Sequence, residues 1–155
     1  MPIRSAGILL YRNRSGGTEV FLVHPGGPYW ANKDDGAWSV PKGIVESNEN
    51  ELAAACREFE EETGFGVAGK FRELGTFQQP SGKQLSVWAL EGDCEPSKLV
   101  SNRFEMIWPP KSGKRQSFPE VDRGAWFTRS EALVRIVKGQ KPIVEKLFRE
   151  LTLNP

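Results

Sequence analysis

Apolar and polar positions follow one another in short blocks with distinct periods. Residues 5–12 are rich in apolar positions and read as a strand. Residues 13–17, Asn-Arg-Ser-Gly-Gly, are turn chemistry, and 19–24 read as the partner strand of a hairpin. Residues 25–36 form a long loop carrying Tyr29 and Trp30, and 38–41 predict a short strand leading into Lys42-Gly43. The strongest helical period spans 49–63, where Leu52, Ala55, Cys56 and Phe59 recur at i, i+3, i+4 and i+7. Asn48 or Asn50 caps its start, and Gly64 stops it. Strand patterns follow at 67–72, 74–79, 84–91, 104–108 and 121–127, with a turn at 81–83. Thr128 and Glu131 have capping-box spacing and open a helix through about Val137, ended by Gly139. Pro142 suits the first position of a last helix that turns Ile143, Leu147, Phe148 and Leu151 inward. This irregular interleaving predicts an α+β fold with a mixed sheet packed between helices.

A chain of 155 residues fits one globular domain, here taken as 1–155. It contains no apolar run of the roughly 18 residues a membrane span needs, so no membrane partner is expected. The start, Met1 to Ser5, lacks the charged-then-apolar layout of a secretory signal, and the expected location is cytoplasmic. The net charge of +1 lacks the basic excess that binds duplex nucleic acid. Cys56 and Cys94 have neither metal-ligand nor redox spacing and read as reduced, with Cys56 a small core residue. His24, the only histidine, reads as structural.

Charge is uneven locally: seven glutamates and one arginine lie between Glu46 and Glu62. Glu58, Glu61 and Glu62 are three and four apart, so they share one helix face away from the Leu52, Cys56 and Phe59 stripe. Three carboxylates so close repel one another, and either solvent or a divalent cation relieves that. An oxygen-only set suits magnesium, manganese or calcium. Gly43, Glu49, Arg57, Glu58, Phe59, Glu61, Glu62, Gly64 and Phe65 together fill every fixed position of a pattern that resembles the Nudix signature, from Gly43 to Phe65. The two bulky positions hold Phe, where that family more often carries an aliphatic residue.

The resemblance implies an α/β/α sandwich and hydrolysis of a pyrophosphate bond in a nucleoside diphosphate linked to another moiety. It implies Mg²⁺ as cofactor, with Mn²⁺ as the alternative, held by Glu58, Glu61, Glu62 and the carbonyl of Gly43. It makes Arg57 an orienting residue and Glu49 its ion-pair partner, with Gly64 closing the helix. The general base lies either in the signature or on a later loop, where Glu120 is the candidate; Glu120 also reads as an ordinary loop carboxylate.

The lead-in Trp38-Ser39-Val40-Pro41-Lys42-Gly43 is similar to that of the family's diadenosine tetraphosphate hydrolases and diphosphoinositol polyphosphate phosphohydrolases, implying a dinucleoside polyphosphate as the leading substrate, with a nucleoside triphosphate as the other reading and a nucleotide sensor that does not cleave as a third. Lys42 reads as a phosphate contact or as part of a packing segment. Tyr29, Trp30, Trp88 and Trp108 are candidates for stacking on a base. Trp88 fits the core, and Trp30 an exposed loop. Lys111, Lys114 and Arg115 form a basic loop that either attracts phosphates or is a solvated hairpin tip. The expected partner is a nucleotide-like small molecule, and both monomer and homodimer remain open.

Overall fold

The computed structural model describes residues 3–153. Met1 and Pro2, part of the N-terminal segment considered above, lie outside them, as do Asn154 and Pro155.

Eight strands and three α-helices follow one another as β1 (Arg4–Arg14), β2 (Gly17–Pro25), β3 (Lys42–Ile44), α1 (Glu51–Thr63), β4 (Arg72–Gln78), β5 (Gln84–Glu91), β6 (Arg103–Ile107), β7 (Arg115–Pro119), β8 (Val121–Thr128), α2 (Arg129–Arg135) and α3 (Lys141–Leu153). The main sheet runs β4-β5-β1-β2-β8, with β3 also paired to β1. β1 and β5 are parallel and the other pairs antiparallel, so the sheet is mixed.

Period-2 alternation explains how one sheet serves two cores. Ile8 and Leu10 of β1, with Phe21 and Val23 of β2, point to the side where α1 lays down Ala54, Ala55 and Phe59. Leu9 and Tyr11, with Val20 and Leu22, point to the opposite side, against Ala132, Ile143, Val144 and Leu147 of α2 and α3. The result is the expected α/β/α sandwich. Trp88 packs, partly buried, on the α1 side, and both cysteines are free thiols.

Several local expectations are corrected. Residues 38–41 make only isolated bridges, Val23 with Ser39 and Trp38 with Ile136, and the regular strand comes one step later as β3. The stretch 67–71 is not strand, because the β4–β5 ladder begins only at Arg72 opposite Ala89. β7 escapes sequence reading because Arg-Gln-Ser-Phe-Pro has no apolar alternation; it becomes a strand by pairing with β6 in a hairpin separate from the main sheet. Helix α1 starts at Glu51 rather than Glu49, with Asn50 as its cap. Its fully buried residues are Ala54, Ala55, Phe59 and Thr63, whereas Leu52 and Cys56 are only partly covered. Gly139 does not end α2: that helix stops at Arg135, where Ile136 turns extended and bridges Trp38. Gly139 sits in the 3₁₀ turn Lys138–Gln140, and Pro142 is the second residue of α3.

Candidate active site

The site is built where β3 passes the face of α1. The preceding segment is fastened before it arrives: the N–H groups of Val23 and Ser39 donate to each other's carbonyls at 2.9 Å, and Ile8 N–H donates to Pro41 O at 3.2 Å. The buried Gln140 completes the fastening. Its Oε1 accepts from Val40 N–H at 2.9 Å and its Nε2 donates to Ser39 Oγ at 3.0 Å. Sequence reading missed Gln140, since a single polar residue beside a glycine carries no signal until the tertiary fold brings it to Val40. Pairing of β3 with β1 then places Gly43 opposite Ala6. A Cβ at Gly43 would fall on the Glu58 carboxylate, so only glycine allows backbone and carboxylate to approach this closely.

Arg57 organises the acidic cluster. Its Nε and Nη2 donate to the two oxygens of Glu49 at 2.8 and 2.9 Å, a bidentate fork. Nη1 donates to Glu58 Oε1 at 2.7 Å and Glu61 Oε2 at 3.1 Å, and Nη2 also reaches Ile44 O at 3.1 Å. One guanidinium therefore ties the loop to three carboxylates. Hydrogen bonds from Arg57, supported by Glu46 N–H, hold the Glu49 carboxyl down at about 2, and the same pairing raises the Arg57 pKa.

The three signature carboxylates occupy different environments. Glu61 is the most open, its side chain 41% exposed, against 15% for Glu58. Burial raises the Glu58 pKa, opposed by its bond to Arg57 and reinforced by repulsion from Glu61. Burial drives Glu62 further, to about 7, despite the attraction of Lys42 and the Lys42 N–H, which donates to Glu62 Oε1 at 3.3 Å; repulsion from Glu58 and Glu120 adds to the rise. The acidic face is thus half-sunk against β3.

Among the described residues no three His, Cys, Asp or Glu side chains form a ready cluster for a metal, and Arg57 Nη1 bonds both Glu58 and Glu61. The chemistry of the donors nonetheless fits a hard divalent cation. They are all oxygens, the Glu62 carboxylate is buried near Glu58 and Glu120, and the backbone of Gly43 lies directly against Glu58.

Glu120 joins this group through the backbone. Gly64, in the left-handed conformation at φ 81°, closes α1 with its N–H on Glu60 O at 2.8 Å. The following chain returns: Asn102 N–H donates to Glu61 O at 2.7 Å and Glu120 N–H to Asn102 O at 2.8 Å. Exposed Glu120 consequently stands close enough to Glu62 to repel it. Lys42 is beside Glu62; Trp30 is on the loop after β2 and Lys114 at the β6–β7 hairpin tip. Trp30 is 37% exposed with Lys33 Nζ 5.2 Å from its ring centre. His24 is fully buried between Asp122 Oδ1 at 2.8 Å and Lys33 O at 2.6 Å, edge-on to Trp38, a structural setting as expected.

A mixed sheet thus lies between helices, with an Arg-centred glutamate helix against a glycine strand. Residues 1–147 match the NUDIX domain, and the chain belongs to that family. It is 35% identical over 122 residues to an 8-oxo-(d)GTP phosphatase of Mycolicibacterium smegmatis, a match covering 70% of this chain and 35% of that protein. The chain therefore spans about a third of that relative's length. Its fold is similar to that of a C. elegans Ap4A hydrolase in a binary complex (TM-score 0.66, 20% identity, 96% of this chain and 98% of that one). It also resembles the NUDIX domain of Shewanella oneidensis NrtR complexed with ADP ribose (TM-score 0.67, 14% identity, 97% and 89%).

Proposed function

We propose that this protein hydrolyses a pyrophosphate bond in a small molecule built on a nucleoside diphosphate, with a dinucleoside polyphosphate as the leading substrate. The observation that carries the reading is the set of oxygens gathered on this face: the Glu58 carboxylate against the Gly43 backbone, and the buried Glu62 carboxylate accepting from Lys42 N–H and repelled by Glu58 and Glu120. Glu58, Glu61, Glu62 and the Gly43 carbonyl would hold magnesium or manganese. When bound, the ion would neutralise phosphate oxygens and lower the pKa of an attacking water.

The chain's own groups supply the rest. Arg57 fixes the rotamers of Glu58 and Glu61 and ties the loop through Glu49. Lys42 meets a phosphate as a point charge. Glu120, exposed at the edge of the cluster, accepts the proton of the attacking water as general base. Lys114 and Trp30 contact the parts of the substrate remote from the cleaved bond.

A nucleoside triphosphate is the second reading, favoured by the mycobacterial relative, an 8-oxo-(d)GTP phosphatase. Retention of every signature carboxylate argues against a sensor that binds without cleaving. A panel of dinucleoside polyphosphates, nucleoside triphosphates and inositol pyrophosphates, each with and without Mg²⁺ and with products identified, tests this. ATP plus AMP from diadenosine tetraphosphate supports the leading substrate, and pyrophosphate release from a triphosphate supports the second. No metal-dependent turnover on any of them rejects the enzyme reading.

A further inference from the structure

Strand β8 is not regular at its start. From Thr128 opposite Glu19 to Arg123 opposite His24 the register with β2 is steady, but the next pair is Val121 with Pro25. Asp122 is therefore an extra residue, a β-bulge. Pro25 has no N–H to give the ladder, which suits it to this break. The bulge reverses the faces of the strand. Phe127 and Ala125 pack in the core under α2 and α3, and alternation alone would send Val121 there too. Instead Val121 is buried in the core under α1, with Phe59.

Two side chains hold the bulge. Ser101 Oγ accepts from Val121 N–H at 3.0 Å. Asp122 turns its carboxylate towards His24, with Oδ1 2.8 Å from Nδ1. His24 is fully buried, and its Nε2 donates to Lys33 O at 2.6 Å. A buried ring must satisfy both nitrogens, and this one does so by joining the bulge to the loop after β2.

The bulge leads directly to Glu120. The N–H of Glu120 is bonded to Asn102 O, and its carbonyl accepts from Gly26 N–H at 2.9 Å. A Cβ on Gly26 would fall on the Pro119 carbonyl, so the two backbones meet here without a side chain between them. His24 and Gly26 on one segment, Asp122 and Glu120 on the other, thus form a closed ring with a hydrogen bond at each end.

We propose that His24 and Asp122 are a positioning pair for the reaction, locking the bulge that holds Glu120 at the end of α1 beside Glu62. Both residues act through Glu120 and not on the substrate. The inference deepens the proposed function and rests on its assignment of Glu120 as general base. A bulge released from His24 can slip towards regular pairing, which changes the direction of the residues before it. Displacing a reacting group by about 1 Å costs about a hundredfold in rate, so a bond two residues away is enough to control it.

Amide hydrogen exchange on the full chain, read residue by residue by NMR, tests the hold on Glu120 without turnover. Asp122→Ala should speed exchange at Glu120 and Gly26 by at least about tenfold and leave Leu147 in α3 unchanged. Asp122→Asn, whose amide can still bond Nδ1, should keep the wild-type pattern. On any substrate cleaved, Asp122→Ala should lower kcat at least about tenfold with KM within about twofold, and Asp122→Asn should restore it. Combined with Glu120→Gln, the alanine change should cost less than about twofold more, because its target is already gone. Unchanged exchange at Glu120, or exchange equally faster at Leu147, overturns the pair as a positioning device. The same loss of kcat with and without Glu120→Gln also overturns it. Faster local exchange beside wild-type turnover in Glu120→Gln alone would reject the base assignment and leave the hold on Glu120 standing.

Discussion

Gly43 and Glu58 show how one missing side-chain atom sets the geometry of a site. The carboxylate occupies the volume a Cβ would need, so Gly43→Ala must push the β3 backbone and Glu58 apart. A drop in turnover of at least about a hundredfold with the fold retained by circular dichroism is expected, since a misplacement of about 1 Å costs that much. Glu58→Gln and Glu62→Gln should likewise lower turnover by orders of magnitude while the variants stay folded; wild-type rates in both would remove the site assignment. Glu49 offers a test that needs no substrate. Its folded pKa, about 2, lies below the ordinary value of 4.5, so the Arg57 pair contributes stability that is fully present above about pH 4.5 and is lost as the pH falls towards 2. Melting temperature followed across that window should fall less steeply in Glu49→Gln than in the wild type.

The elements are marked by their ends. Asn50 accepts from Ala53 N–H to open α1, and Thr128 and Glu131 complete a reciprocal box at the start of α2. Thr128→Ala should lower unfolding stability by about 1 kcal/mol in urea, with the m-value unchanged. An unchanged midpoint would mean that packing against β8 and α3, and not the cap, holds α2 in place. The tertiary fold decides the other end of α2: Ile136 leaves the helix to meet Trp38, and the 3₁₀ turn after it delivers Gln140 to Val40. The segment leading into β3 therefore depends on an element some hundred residues away, through hydrogen bonds no local pattern announces.

Across the whole molecule, one sheet separates a functional core from a supporting one. Leu147 lies fully buried on the supporting side, away from α1, among Ile143, Val144 and the strand residues Leu9 and Leu22. Leu147→Ala should cost about 3 kcal/mol of stability and leave KM unchanged where the protein remains folded. The proposed ion site lies on the other side. Mg²⁺ at a hundred times its dissociation constant should stabilise the fold by about 2.7 kcal/mol, seen as a rise in melting temperature that Glu62→Gln abolishes. An equal rise in the variant would place the ion elsewhere.

The sequence by itself determined the periods, the caps and the signature. Alternation in β1 and β2 sorted residues to two faces, the glutamates three and four apart shared a helix face, and the resemblance to the Nudix signature implied a Glu49–Arg57 pair that the fold makes bidentate. These are local properties, set by the pitch of a helix and the pleat of a strand. Only the tertiary structure decided what lies between distant segments: that the acidic face is half-sunk against Gly43, that Glu120 returns to Glu62, that Gln140 secures the lead-in and that Tyr29 meets Trp108. β7 belongs with these, since its polar residues become a strand only when β6 offers its backbone. The physical reason is common to all of them: desolvation and pairing depend on which surfaces come together, and chain periodicity fixes only the surface each residue presents.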